Sequence, residues 1–467
     1  MEEGEHMTET KVLSWTESVC PVCLKKLPAK RVKRGQAVFM EKTCPDHGFF
    51  EVEVWGGHLY YEDWNRIKEP SSPINPETTV EHGCPFDCGL CPDHRQHSCC
   101  VLLEVTERCN LGCPVCFASS GDAADDPPME ELLETLKDLL TRGGPLNIQL
   151  SGGEPTVRDD LPQLIIKGKK LGHPFFQLNT NGIRLAEEEG YATSLADAGL
   201  DCVFLQFDGV TDEVYREIRG RDLFDIKKRA IKACEEAGIG VVLVPTLKDR
   251  TNTDQVGKIL RFAAEHVPAV TGVHFQPMTF AGRFPEGAPI NRFTLSHLLF
   301  AIEEQTQGEM KMTDFSPAEA ENAYCSFSGS FLINKDGSFR AKTTGKATSC
   351  GCGAPVPEEP ACGCGSPLPK ASDRASQARA YVAKAWKGQA RKRPMKSFEG
   401  TSTSSLDDFL DVLRNRQLAV SAMTFMDAWN LDLERLRDCY IHIAEGKRLI
   451  PFCAYNLTAQ DGRALYR

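Results

Sequence analysis

The chain has 467 residues and a net charge of −11, with 54 Lys and Arg against 65 Asp and Glu, which excludes a general attraction to nucleic acid or to an anionic membrane surface. No basic segment leads into an apolar one at the N-terminus, and no run approaches the roughly 18 apolar residues of a spanning helix; a cytoplasmic protein with no integral membrane segment is expected. The 20 cysteines are clustered, and in a reducing cytosol closely spaced thiols are metal ligands more often than disulfides.

Residues 1–100 are polar and Cys-rich, the composition of a small domain stapled by metal. CPVC carries Cys20 and Cys23, and CPDHG adds Cys44, the pattern of a rubredoxin-type or zinc-ribbon site for one iron or zinc. The fourth ligand is His47 or a distant cysteine, and a purely structural metal is favoured over an electron-carrying iron. Cys84, Cys88 and Cys91 follow at C-x3-C-x2-C spacing, with Cys99 and Cys100 close behind.

From residue 101 to about 310, strand and helix alternate. Strand-like runs are VLLEVT (101–106), NIQLS (147–151), FFQLNT (175–180), CVFLQFD (202–208), VVLVPTL (241–247) and VHFQPM (273–278). Between them lie helical patterns such as MEELLETLKDLLTRG and DIKKRAIKACEEAG, in which Ile226, Ala230, Ala233 and Ala237 share a face. Cys202 and Cys234 fall inside these apolar patterns and read as buried small hydrophobes. The six βα units predict an α/β fold, a parallel sheet that is open or curled into a partial barrel. Its chemistry is expected at the C-terminal ends of the strands.

Residues 311–467 form an extension. Within it, about 340–402 turn to Gly, Pro, Ser and Ala with the near-repeat SCGCGAP and ACGCGSP, and are expected to be a mobile insertion or linker whose basic end, WKGQARKRPMK, is a solvated face. A helix-like SLDDFLDVLRNRQ follows, and the apolar, Cys-bearing ending from Phe425 to Leu457 is expected to pack back onto the core.

The loop ERCNLGCPVCFASSG, directly after the first of these strands, sets Cys109, Cys113 and Cys116 at intervals of four and three. Four thiolates complete the coordination of a four-iron cluster, whereas three leave one iron open to a small molecule; a zinc loop with its fourth ligand elsewhere is the alternative on spacing alone. The second strand ends in QLSGGEPTVRDDL, where Gly152 and Gly153 allow close backbone approach to a ligand and Glu154 supplies a charge. The third ends in NTNG, Asn179 to Gly182, and the fourth in QFDG, Gln206 to Gly209. Three polar, glycine-marked turns beside one three-cysteine loop argue for a single site.

This loop followed by a GGEP turn resembles the radical S-adenosylmethionine (radical SAM) superfamily over roughly residues 100–280. The resemblance implies a partial β6α6 barrel, a 4Fe-4S cluster on Cys109, Cys113 and Cys116, and S-adenosyl-L-methionine (SAM) chelated at the open iron. It also implies that Gly152, Gly153 and Glu154 position the methionine amine, that Asn179, Asn181 and Gln206 contact carboxylate or ribose, and that the strand around His274 to Met278 faces adenine. Reduction, from a donor such as ferredoxin or flavodoxin under anaerobic conditions, would cleave SAM to methionine and a 5′-deoxyadenosyl radical. That radical takes hydrogen from an unactivated C–H bond inside a water-poor barrel. No clear strand precedes Cys84, Cys88 and Cys91 and no GGEP follows them at the right distance; with Cys99 or Cys100 as fourth ligand they are assigned to a closed auxiliary cluster.

CPVC, CPDHG, HGCPFDCGLC and the C-terminal segment together resemble the archaeal tetraether lipid synthases and, equally, their dihydropterin methylase relatives. In that family C-terminal cysteines help bind a further cluster, which implies Cys439 and Cys453 with Cys325. The chain departs from the pattern between about 310 and 400, where the CGCG pair stands. The expected activity is functionalisation of an inert C–H bond of a small molecule or lipid, forming a carbon–carbon or carbon–heteroatom bond. Three versions compete: lipid-chain coupling, which needs a long apolar tunnel; pterin methylation, which needs a compact polar pocket and a separate methyl donor; and a reaction in which the CGCG cysteines take part. The altered insertion favours the first or the last. A non-catalytic iron-sulfur protein, carrying electrons or delivering metal, is the alternative of another class.

Overall fold

A computed structural model describes residues 10–73, 76–121, 125–284, 292–342, 370–387 and 416–467. Four antiparallel strands come first, β1 (Thr10–Val19), β2 (Lys26–Arg34), β3 (Ala37–Cys44) and β4 (Gly48–Trp55), paired in chain order. Leu27 and Ala29 of β2, and Val38 and Met40 of β3, are buried while the residues between them are more exposed, the period of two of a half-buried strand.

The second unit is a curled parallel sheet. Strands β5 (Cys100–Thr106), β6 (Asn147–Gly152), β7 (Phe175–Thr180), β8 (Cys202–Gln206), β9 (Gly240–Val244), the two-residue β10 (Thr246–Leu247) and β11 (Val270–Pro277) fall on the six runs predicted from sequence, leaving out only Phe207, Asp208, Pro245 and Met278. The parallel order is β5-β6-β7-β8-β9-β11, with β10 beside β11. Helices α1 (Met129–Gly143), α2 (Leu161–Leu171), α3 (Ile183–Glu187), α4 (Tyr191–Ala198), α5 (Asp212–Arg219), α6 (Phe224–Ala237) and α7 (Val256–Glu265) make the crossovers. Leu132, Leu136 and Leu139 form the buried stripe of α1, and Ile226, Ala230 and Ala237 that of α6, spacings that return to one face each turn. In β7, Phe176 and Leu178 join the main core, whereas Asn179 faces the cavity inside the curl.

The C-terminal extension widens this sheet at both edges. After α8 (Leu295–Gln305) come β12 (Ser316–Pro317), β13 (Ser326–Ile333), β14 (Phe339–Ala341), β15 (Gln417–Met423), β16 (Ile441–Glu445) and β17 (Arg448–Pro451). β15 pairs parallel to β11, and β16 parallel to β5. The ladder runs from β12 at one edge to β17 at the other without closing. As expected, the ending packs back: Leu431, Leu433, Leu436, Phe452 and Cys453 share one buried cluster with Val19 and Leu24. Arg31 Nε and Nη2 donate to Asp432 Oδ2 at 2.9 and 2.6 Å, and Lys42 Nζ to the Ala428 carbonyl at 2.7 Å, so the N-terminal sheet is seated on the C-terminal segment.

One expectation is corrected. The Gly/Pro/Ser-rich stretch read as a linker contains helix α9 (Ala371–Ala385). Arg379 Nη1 donates to the Ser98 carbonyl at 2.7 Å, Asn147 Nδ2 to the Arg379 carbonyl at 3.2 Å, and Lys387 pairs with Asp201 at 2.9 Å. These partners stand at the starts of β5, β6 and β8, so α9 covers the N-terminal mouth of the curl. Residues 371–385 carry six alanines and no Gly or Pro, so the segment favours a helix locally and is masked by the Gly, Pro and Ser around it. The CGCG cysteines and residues 405–415 of SLDDFLDVLRNRQ lie outside the described residues.

Candidate active site

The chain leaves β5 at Thr106 and makes the three-cysteine loop against the end of β6. Gly153 N donates to the Thr106 carbonyl and Glu154 N to the Arg108 carbonyl, each at 2.8 Å. Gly152 has φ +121°, and a Cβ there or on Gly153 would stand 2.1 Å from the Thr106 or Arg108 carbonyl oxygen. Only glycine lets these two backbones meet.

Several side chains hold the loop. Leu111 N donates to Cys109 Sγ at 3.4 Å, and Cys116 exchanges two backbone hydrogen bonds of 2.9 Å with Arg283. Arg283 Nε donates to the Cys113 carbonyl at 2.7 Å. Arg219, at the end of α5, donates to the Val115 carbonyl at 3.4 Å and is paired with the fully buried Asp208. Burial pushes the Cys109 thiol up to about 11, with Glu154, Cys113 and Cys116 adding to the effect, and raises Cys113 as well. Three converging thiols next to a fixed guanidinium are a donor set that fits a thiolate-bound iron cluster, whose charge would offset the burial that raises Cys109 and Cys113.

Glu154 is 2% exposed and highly connected. Its carboxylate accepts from Thr156 N at 3.1 Å and from Thr156 Oγ1, Thr180 Oγ1 and Asn181 N at 2.7 Å each. The residue expected to meet the methionine amine therefore also ties the turn after β6 to the end of β7. Asn181 Nδ2 reaches Asn110 Oδ1 in the cysteine loop at 2.7 Å. Lys227, fully buried on α6, donates to the Asn181 carbonyl at 2.6 Å and to Gln206 Oε1 at 3.3 Å, and burial holds its ammonium down to about 7.

All of these ends face one cavity of about 310 Å³. Cys109, Cys113, Cys116, Gly152, Gly153, Glu154, Asn179, Asn181 and Gln206 all border it, as do His274 and Met278. Residues that sequence reasoning missed are Asp208, Arg219, Lys227, Arg283 and Trp386. Each is an ordinary charged or aromatic residue in a helix or turn, and only the fold brings it to the site.

The other cysteine groups separate clearly. Cys20, Cys23, Cys44 and His47 offer ligand atoms within 4.8 Å of one another, which makes His47 the missing fourth member. Burial opposes ionisation of Cys44, but hydrogen bonds from His47, the Asp46 backbone and Cys20 prevail and lower its thiol to about 6, while burial raises Cys20 to about 11. Cys84 contacts Cys88 and Cys91 through its thiol, chiefly Cys88, and is pushed up to about 12. The structure does not bring Cys99 and Cys100 to that triplet: Cys99 has Cys100, Arg379 and Glu321 as charged neighbours, Cys100 meets Gln149 and Cys202, and both border the barrel cavity. The reason is that Cys100 already belongs to β5, whose direction carries its side chain into the curl. Cys325, Cys439 and Cys453, distant in sequence, are electrostatic neighbours in a buried pocket where Arg435 Nη2 donates to Cys325 Sγ at 3.5 Å.

Residues 103–263 match the radical SAM superfamily and residues 12–56 match the HMPTM N-terminal zinc ribbon domain. The chain is 34% identical to 7,8-dihydro-6-hydroxymethylpterin dimethyltransferase of Methanocaldococcus jannaschii, over 94% of this chain and 93% of that protein. It belongs to the radical SAM superfamily, in the pterin-methylase-like branch. A probable GTP 3′,8-cyclase of Methanothermobacter marburgensis is 32% identical over 32% of this chain and 49% of its own. Among solved structures, Streptococcus suis SuiB overlaps 45% of this chain and 46% of its own, with 18% identity and a TM-score of 0.38. The chain is thus a radical SAM enzyme, and its N-terminal sheet is a zinc ribbon. Among the described residues no helix is long and apolar enough to cross a membrane.

Proposed function

We propose that this radical SAM enzyme uses SAM as its radical source to methylate a small, planar heteroaromatic substrate of the pterin class, the methyl group coming from a separate donor. The carrying observation is that the three-cysteine loop, the Gly152–Gly153–Glu154 turn and the ends of β7, β8 and β11 border the same compact cavity. A 4Fe-4S cluster on Cys109, Cys113 and Cys116 would supply the electron that cleaves SAM to a hydrogen-abstracting 5′-deoxyadenosyl radical.

The protein's own part is positional. Gly152 and Gly153 leave backbone exposed to the amino acid end of SAM; Asn179, Asn181 and Gln206 offer carboxamides to its carboxylate and ribose. Phe117, Phe425 and Phe452, with ring centroids 4.3 to 5.8 Å apart, form an apolar wall that keeps water from the reacting end. The Cys84, Cys88, Cys91 set and the Cys325, Cys439, Cys453 set would hold auxiliary clusters, and an electron donor such as ferredoxin or flavodoxin would feed them.

Gln149, Asn179, Gln206, His274 and Gln276 give an otherwise largely apolar cavity the polar groups that a pterin edge needs, and the M. jannaschii relative, similar over 94% of this chain, is named for a pterin substrate. The test is anaerobically reconstituted protein given SAM, dithionite, 7,8-dihydro-6-hydroxymethylpterin and a separate methyl donor, a reduced pterin that carries a one-carbon unit. 5′-Deoxyadenosine and a methylated pterin are expected; 5′-deoxyadenosine without methylated pterin would overturn the substrate, and neither product from cluster-replete protein would overturn the reading entirely.

A further inference from the structure

The floor of the cavity, opposite the cysteine loop, is built by α9 and the chain just beyond it. Trp386, half-buried, borders the cavity with Val382. Its ring lies 4.7 Å from Phe204 on β8 and 6.0 Å from His274 on β11. His274 is itself fixed, with Nδ1 2.9 Å from Ser421 Oγ on β15, and Thr271 Oγ1 donates to the Trp386 carbonyl at 3.4 Å. Three rings on three separate elements therefore form one corner of the cavity.

Two carboxamides face the same space. Among the described residues, the Gln276 side chain forms no hydrogen bond, yet it borders the cavity from β11. Gln149 on β6 accepts from Asn179 Nδ2 at 3.5 Å and turns its amide nitrogen to the Cys100 thiol, which leaves one of its two amide hydrogens for a ligand. A carboxamide offers one acceptor and two donors in a plane. An unpaired one beside an aromatic corner suits a flat ring with donors and acceptors along its edge, because stacking and edge hydrogen bonds are then made together.

We propose that Trp386 is a specificity-determining residue: it stacks on the heteroaromatic ring of the substrate while Gln149 and Gln276 bond the ring edge. α9 thus acts as a substrate-binding wall at the N-terminal mouth of the barrel, while Gln276 reaches the same ring from the C-terminal end of β11. This rests on the pterin reading above. Trp386→Phe keeps a stacking face, Trp386→Ala removes it, and Gln276→Leu removes the edge contact at near-constant volume.

The test is a fluorescence titration of the cluster-reconstituted full chain with 6-hydroxymethylpterin, read both as pterin emission and as quenching of tryptophan emission. Trp386→Ala should weaken binding about 10- to 100-fold, the range of base-on-aromatic stacking. Trp386→Phe should bind within about threefold of wild type but lose the tryptophan quenching, a signature that a purely structural role for Trp386 would not produce. SAM binding, measured on the same preparations, should be unchanged in both. Equal pterin affinity in wild type and Trp386→Ala would overturn this inference and leave the pterin reading standing. Absence of pterin binding by wild type that still binds SAM would overturn the pterin reading, and this inference with it.

Discussion

Arg219 and Asp208 form a two-point ion pair, with Nε to Oδ2 at 2.7 Å and Nη2 to Oδ1 at 2.8 Å, both side chains buried. Asp208 also accepts from Thr246 N at 3.1 Å, and Arg219 reaches on to the Val115 carbonyl and to Thr246 Oγ1. The QFDG turn after β8 is thereby tied both to the start of β10 and to the cysteine loop.

Removing one partner of such a pair leaves the other charge buried and alone. Arg219→Met should cost about 3–5 kcal/mol of stability and loosen the segment that carries Cys113 and Cys116. Denaturant unfolding of the metal-free protein gives the first effect, and iron bound per chain after reconstitution gives the second. Unchanged iron content would remove Arg219 from its assigned role in holding the loop.

Gly153→Ala tests the close approach of the two strand ends. The added methyl would stand 2.1 Å from the Arg108 carbonyl, so the bonds from Gly153 N and Glu154 N cannot both survive. Cluster assembly and 5′-deoxyadenosine formation should fall together, by at least about tenfold, roughly the 1.4 kcal/mol value of one lost hydrogen bond. Gly143→Ala offers a surface control, since its backbone is helical and a Cβ there meets only ordinary contacts from Leu146 at 3.5 Å and beyond.

Glu154→Gln replaces an acceptor of four hydrogen bonds by a group that must turn a donor toward one of them. A loss of about 1.5–3 kcal/mol is expected for bonds to a charged group. The readout is the unfolding midpoint together with SAM affinity; a variant as stable as wild type would contradict the network at Thr156, Thr180 and Asn181.

The buried Lys227 predicts a pH dependence. Its pKa falls from 10.5 to about 7 because burial disfavours the ammonium. Between about 7 and 10.5 the unfolded chain binds this proton and the folded chain does not, so this contribution to stability rises with pH across that window. Lys227→Met lacks it, and the stability difference between wild type and variant should shift in favour of wild type by a few kcal/mol on going from pH 7 to 10.5. Denaturation midpoints at several pH values measure this; parallel curves would refute it.

In the zinc ribbon, Cys44→Ser should reduce bound zinc by one ion per chain and raise amide exchange in β1–β4 specifically, because a four-ligand metal is folding energy for so small a sheet. Exchange in β5–β9 should change far less, since Val38 and Trp55 are the only buried residues of β1–β4 in the cluster those strands share.

Local chemistry was open to reading along the chain. The strand runs from VLLEVT to VHFQPM, the Ile226-to-Ala237 stripe and the C-x3-C-x2-C and GGEP motifs are each set by neighbours a few residues apart, through side-chain period, backbone freedom and ligand spacing. These determined the α/β alternation and the identity of the cysteine loop. Contacts between residues distant in sequence were decided only by the tertiary structure. His47 joins Cys20, Cys23 and Cys44 because β3 and β4 turn back on β2; Cys99 and Cys100 turn from the Cys84 triplet because β5 begins at Cys100; Cys325 meets Cys439 and Cys453 because β13 and β16 flank the same curl. α9 becomes a cavity wall because Ser98, Asn147 and Asp201, at three strand starts, present the polar partners it needs. The six alanines of residues 371–385 favour a helix by themselves, but where that helix docks was set by these long-range contacts, which leave no trace in a local pattern.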